Sequence, residues 1–405
     1  MRRAGLALAG CAAAAALLWL PNLFISKPPL SLNDLHLRWL IAPGEYFTAA
    51  PARPGLVCTN PELTALDNGA ECFTPRKKPG TFRIFCVGGS TTRGWPFQHV
   101  IAYPALLAAY LKNALPGREI EVINAGFMAS DSVSDLPLVR ELARYEPDLL
   151  LLYEGRADVG NYDLRSAFSS RLLKIHCSLL RNSAVYGRLR LMLQPSAGLD
   201  HARSVRLLLF LLPRASFEGY APFFLGNIRS MGAAAAAAGA KTVLLTQVTF
   251  PPAGAPAPEG VSRLRRAAGL EITRREVFVL RANDWLREFS AREKVPLLDI
   301  AAVTEAAREK ESGLVIPLPA VHPDLAGYCL MARAAAQYLK SAGIPAPARQ
   351  WGELPPAAEV CAAELAFSHG SLKDTYLRLA DYFSAAGYPA AAKRYRAKAL
   401  EYGTQ

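Results

Sequence analysis

The sequence predicts a three-layer α/β sandwich around a five-stranded parallel sheet, with a helical hairpin added at the C-terminus. Three observations point there. Short apolar runs alternate with helical stretches from Phe82 onward, which is the pattern of a parallel sheet covered on both faces. One run, Asp148–Tyr153, is apolar without alternation, as a strand buried on both sides must be. Of the 405 residues, 51% are hydrophobic and 20% charged, enough apolar side chain for a full-size core.

Residues 1–25 read as an N-terminal signal anchor. Arg2 and Arg3 precede an apolar run from Ala4 to Leu20, ended by Pro21 and Asn22. The run is at the short edge of what spans a bilayer, and the leading charges put the body outside the cytoplasm. A cleaved signal peptide is one rival. Lipidation is another, because Leu8-Ala9-Gly10-Cys11 resembles a bacterial lipobox. All three give an extracytoplasmic protein, periplasmic or extracellular.

Residues 26–80, rich in Pro, Asn and Gly, form a linker and a lead-in expected to pack on the main domain. Cys58 and Cys72 flank a 13-residue polar segment. In an oxidising compartment a disulfide between them stabilises by about 3 kcal/mol; two unrelated thiols are the alternative. Cys86 lies inside an apolar strand and reads as a small core residue. No pair of the seven cysteines has zinc-site spacing, and no cofactor is implied. The net charge of +12 admits nucleic acid, an anionic membrane or an acidic polymer as partner. Nucleic acid is not expected, since the basic residues are scattered and no aromatic-basic motif occurs.

Residues 81–344 form the main domain. Strands are expected at Phe82–Val87, Glu119–Asn124, Asp148–Tyr153, Lys241–Val248 and Val295–Ile300. Helices are expected at Ala102–Leu115, Ser132–Tyr145 (capped by Asp131 or Ser130), Val277–Lys294 and Leu325–Leu339. Residues 166–235 interrupt the alternation with an apolar, Arg-studded helical insertion: a lid, a membrane-contacting surface, or extra core. From Pro345 a Pro-rich linker leads to the 345–405 tail. There Ala380, Phe383, Tyr388, Ala392 and Ala399 resemble one tetratricopeptide unit. One such unit cannot bury its own face, so it is expected to pack on the main domain, leaving its other side for protein contacts.

The chemistry starts at the first strand, which runs into Gly88-Gly89-Ser90. A serine becomes a nucleophile only beside a base and facing backbone N–H groups. Val321-His322-Pro323 offers the base. Two further blocks lie between: Asn124-Ala125-Gly126 and Gly155-Arg156-Ala157-Asp158. In order and spacing, these four blocks resemble the SGNH, or GDSL-type, hydrolase superfamily over roughly residues 80–342. The likeness is to bacterial members with an N-terminal membrane segment and a tetratricopeptide-like tail.

That resemblance implies a flavodoxin-like sheet and serine esterase chemistry. Ser90 would attack an ester carbonyl and His322 would take its proton. The oxyanion would be held by the N–H groups of Ser90 and Gly126 and by an Asn side chain. An Asp three residues before the histidine would orient the imidazole. Here Ala157 stands for that Asn and Pro319 for that Asp. Losing one oxyanion donor costs roughly 10²–10³ in rate, and losing the carboxylate up to about 10⁴. Arg156 or Asn161 could stand in as donor, and Asp324 or a backbone carbonyl near Pro319 as orienter. Asp158 and Asp299 read as structural. Two functions follow. One is an extracytoplasmic serine esterase acting on O-acyl, plausibly O-acetyl, groups of envelope carbohydrate or lipid. The other is a catalytically inactive glycan-binding or scaffold protein on the same fold. The simplest competing roles for the pair are helix caps.

Overall fold

The computed structural model describes residues 45–61, 70–95, 101–128, 130–159, 182–193, 217–249, 261–310, 322–323, 325–356 and 389–401, with isolated positions at 24, 63, 97, 178–179, 360, 373–374, 376–378, 380–381 and 384. The chain forms two compact units. One comprises Met1–Gly44 and Gly160–Tyr220; the other, Glu45–Val159 and Ala221–Gln405, contains the sheet. The sequence features at Arg2 to Leu20, Cys11, Asn161, Pro319 and Asp324 lie outside the described residues. Among the described residues no helix is long and apolar enough to cross a membrane.

The lead-in is more ordered than its composition suggests. Strands β1 (Phe47–Ala49), β2 (Val57–Thr59) and β3 (Cys72–Phe73) make a small antiparallel sheet. Cys58 lies opposite Cys72 in the β2–β3 register, and the two are joined in a disulfide. Phe73 meets Phe85 edge-on at 5.4 Å, and Phe47 meets Phe127 at 6.0 Å, so the little sheet covers the face of the main one near β4 and the end of β5. Short polar segments hide such structure, because two- and three-residue strands carry almost no periodic signal.

The main sheet has five parallel strands: β4 (Phe82–Gly88), β5 (Ile120–Gly126), β6 (Leu149–Tyr153), β7 (Lys241–Leu245) and β8 (Leu297–Leu298). Their spatial order is β5-β4-β6-β7-β8. The chain leaves β4 in one direction to make β5 and returns past it to make β6. The reversal opens a crevice at the carboxyl end of β4, where ligands of such sheets bind.

Alternation within β4 explains its layering. Ile84 and Cys86 join one apolar cluster with helices α2 (Tyr103–Ala114) and α8 (Leu325–Ser341). Phe85 and Val87 face the other side. Burial pushes the Cys86 thiol far up, so it is an inert core group. Arg83, fully buried in the same strand, is satisfied by Glu121, the Tyr145 carbonyl and Thr74 at 2.7, 2.8 and 3.3 Å.

Between β4 and β5 lie the single-turn helix α1 (Ser90–Arg93) and α2; α3 (Ser132–Leu142) follows β5. The other unit contributes α4 (Ala184–Leu193). Helices α5 (Phe217–Ala237), α6 (Val261–Glu293) and α7 (Ile300–Lys310) lead toward α8. Helix α6 begins earlier than periodicity indicates, and β7 and β8 are shorter than their apolar runs. Helix α9 (Pro389–Glu401) closes the tail. Val360, Tyr376, Ala380, Ala392, Tyr395 and Ala399 share the core cluster with α2 and α8. The tail therefore packs on the main domain, with Tyr376 edge-on to Phe97 at 5.7 Å.

Candidate active site

Strand β4 delivers Ser90 through a turn that only glycine permits. Gly88 has φ of 152°, a region that L side chains rarely adopt. A Cβ there would lie 2.5 Å from Thr92 Oγ1 and 2.6 Å from the Tyr153 carbonyl oxygen. At Gly89 it would lie 2.9 Å from the carbonyl oxygen of Ser130. Ser90 then opens α1 and its side chain caps nothing; the cap position belongs to Gly89. Gly94, with φ of 97°, ends the turn, and the next residue, Trp95, donates its N–H back to the Ser90 carbonyl at 3.0 Å.

His322 comes from the far end of the domain, just ahead of α8. Its Nε2 lies 2.6 Å from Ser90 Oγ. For the hydroxyl to donate to Nε2, the imidazole proton must sit on Nδ1. That nitrogen is buried and meets no hydrogen-bond partner among the described residues. The Trp95 ring packs against the imidazole, centroid to centroid 4.7 Å at a 50° tilt. Burial, helped by the charge of Arg156, lowers the pKa of His322 from 6.5 to about 3. The imidazole is thus neutral at pH 7, ready to accept a proton but weakly basic.

Two expected oxyanion groups are placed otherwise. The Gly126 N–H donates to Asn124 Oδ1 at 3.0 Å. A Cβ at Gly126 would fall 2.5 Å from the Arg93 nitrogen. This glycine therefore lets β5 approach α1, and its N–H is already engaged. The segment that does border the serine turn is one step on, at Ser130. Arg156 sends Nη1 to Glu276 at 2.8 Å and Nη2 to the Val248 carbonyl at 2.5 Å. Its charge reaches His322, while its fork is anchored on α6 and the loop after β7. Ala157, beside it, offers no side-chain donor.

The loops of the rim are held by buried acids. Asp131 caps α3 by accepting from the N–H groups of Val133 and Ser134. Asp158 accepts from the N–H and hydroxyl of Ser132 at 3.2 and 2.5 Å, tying the loop after β6 to α3. Asp135 accepts from the Ser130 hydroxyl, and Glu154 is buried close enough for the two carboxyls to feel each other. Burial raises both of these pKa values; the Asp135 charge adds to the rise at Glu154, whereas the contact with Glu154 eases ionisation of Asp135. Asp299 serves structure too, bonding Arg287 and the Thr246 hydroxyl. Among the described residues no group of three His, Cys, Asp or Glu side chains is placed to hold a metal ion.

Sequence reasoning placed Ser90 and His322 together, and they meet. It missed Trp95 and the Asp135–Glu154 pair. The one available signal for Trp95 was an aromatic directly after the glycine that ends the serine turn. Cys329, on α8, is also disulfide-bonded.

The model of the GDSL-like Lipase/Acylhydrolase family matches residues 86–330, more than half of the chain. A search of curated proteins finds no match. Among solved structures, the chain is similar to the acetylxylan esterase Axe2 from Geobacillus stearothermophilus. That match has 14% identity and a TM-score of 0.41, covering 65% of this chain and 96% of that one. It is similar to an alpha/beta hydrolase enzyme from the metagenome of Lake Arreo, Spain, at 17% identity and TM-score 0.40 over 64% and 94%. A lipolytic protein of the G-D-S-L family from Veillonella parvula matches at 13% and 0.38 over 63% and 97%.

Proposed function

This chain belongs to the GDSL-like lipase/acylhydrolase family, and from that premise we propose that it is a serine esterase working through Ser90 and His322. The observation that carries the proposal is the 2.6 Å contact between Ser90 Oγ and His322 Nε2. In this reading Ser90 Oγ attacks the ester carbonyl while Nε2 takes its proton and then passes it to the leaving alcohol. Water repeats the sequence on the acyl-enzyme. The Ser90 N–H, at the first position of α1, is left without an intrahelical partner and can face the oxyanion. Arg156 adds positive charge nearby.

The substrate we propose is an O-acyl group, plausibly acetyl, on a cell-envelope carbohydrate or lipid. An extracytoplasmic site is supported by Arg2, Arg3 and the apolar run after them, and by the Cys58–Cys72 disulfide. The N-terminal segment would tether the protein to the membrane, and the outward side of the tetratricopeptide-like tail would serve protein contacts. A second reading, an inactive glycan-binding or scaffold protein of the envelope, is favoured by the engaged Gly126 N–H and by an Nδ1 that meets no partner among the described residues.

A fluorophosphonate probe separates the two. The purified protein is expected to gain one adduct at Ser90, and Ser90→Ala to gain none. No adduct under conditions that label a known serine esterase would leave the binding reading standing alone.

A further inference from the structure

We infer that Trp95 is the positioning residue of His322, holding the imidazole by ring contact. The inference rests on the Ser90–His322 reading and adds a part to it.

Three contacts converge on this one residue. Its N–H is bonded to the Ser90 carbonyl at 3.0 Å. Its own carbonyl accepts from the Tyr328 hydroxyl at 2.8 Å. Its ring lies against His322. Both backbone polar groups of Trp95 are thereby fixed, one to the nucleophile's residue and one to α8, the helix that starts three residues after the histidine. Tyr328 is itself fully buried and stands edge-on to Phe97 at 6.2 Å. The Phe97 N–H in turn bonds the Gly94 carbonyl at 2.8 Å. The two bonds fix the Trp95 backbone, so the ring that meets the imidazole hangs from an anchored base.

A carboxylate does two things for a catalytic histidine: it orients the ring and it stabilises the imidazolium. An indole face does the first and excludes water, but its weak quadrupole replaces little of the second. Orientation and charge stabilisation, joined in one group elsewhere, are separated here. That accounts for a short Ser90–His322 contact coexisting with a weakly basic imidazole.

The test uses full-length protein with Trp95→Ala, Trp95→Phe and Tyr328→Phe. It reads p-nitrophenyl acetate hydrolysis against pH, and the His322 titration by NMR. Trp95→Ala is expected to lower kcat by about 10²-fold, the size of a 1 Å misplacement, with KM little changed. It is also expected to raise the His322 pKa from about 3 toward 6.5 as water reaches the ring. Trp95→Phe should restore most of both. Tyr328→Phe, which frees only the Trp95 carbonyl, should fall between and remain folded if Trp95→Ala does not. An unchanged titration in folded Trp95→Ala, or in Tyr328→Phe if the alanine variant is lost, overturns the inference. The titration reads ring packing with or without ester turnover. An inert wild type with a shifted titration therefore sinks the esterase reading and not the packing, whereas an active, unshifted Trp95→Ala sinks the positioning role alone.

Discussion

At the carboxyl edge of the sheet, two neighbouring regions treat charge in opposite ways. Around His322 no carboxylate meets the imidazole among the described residues. Between the ends of β5 and β6, four carboxyl groups, Asp131, Asp135, Glu154 and Asp158, are buried together. Backbone N–H groups and serine hydroxyls bond Asp131, Asp135 and Asp158, while burial raises the pKa of Asp135 and Glu154. They fix loops. The histidine sits against an indole and feels a neighbouring guanidinium, so its charged form is doubly disfavoured. Carboxylates here stabilise the frame of the site, while its base is placed by packing.

The sharpest way to break that contrast is to remove the base. His322→Gln is expected to lower kcat by up to about 10⁶-fold if the pair acts as a unit. Stopped or continuous ester hydrolysis measures it, and a loss under tenfold would mean that the imidazole is a bystander. Supplying the absent acid comes next. Pro319→Asp, at the position where the family resemblance sets a carboxylate, is expected to raise kcat by up to about 10²-fold, part of the roughly 10⁴ that an orienting acid is worth. It should also raise the pH at which activity falls on the acid side.

On the acidic side of the comparison, stability should move. Asp135 and Glu154 have raised folded-state pKa values, Asp135 to about 7 from 3.8. Their contribution is fully present below the unfolded pKa and is lost as pH rises through about 7. Urea unfolding of the wild type should therefore weaken between pH 5 and pH 8. Glu154→Gln removes one of the two buried ionisations and should flatten that slope, by about 1–3 kcal/mol at the alkaline end. The smallest effect is on the acid limb of kcat/KM. In the wild type it should lie near pH 3, since His322 is neutral above that. Arg156→Gln should move it upward by less than half of the displacement from 6.5, because burial is the larger cause.

Much of the frame was legible because it is written in long, one-sided or two-sided apolar runs. Leu149–Tyr153 is buried along its whole length, as an unbroken apolar strand must be. Helices α2 and α8 fall within two residues of their predicted ends. The Ser90–His322 pairing was legible because two short blocks each sit at a strand end or helix start, and parallel topology brings such ends to one rim. What could not be read depended on contacts distant in sequence. The β1–β3 sheet pairs residues 8 to 16 positions apart and is closed by a disulfide. The engaged Gly126 N–H follows from an Asn124 rotamer, which no spacing encodes. Trp95 and Tyr328 lie 233 residues apart and meet through one hydroxyl.

The Cys58–Cys72 bond has a bearing on how this protein can be made. The sheet it closes lays Phe47 and Phe73 over Phe127 and Phe85. A host compartment that keeps thiols reduced withdraws about 3 kcal/mol from that cover. It then leaves an aromatic edge of the newly made chain open to its neighbours in the crowd. Yield of monodisperse material should depend on where the ribosome delivers the chain before it depends on any residue of the site.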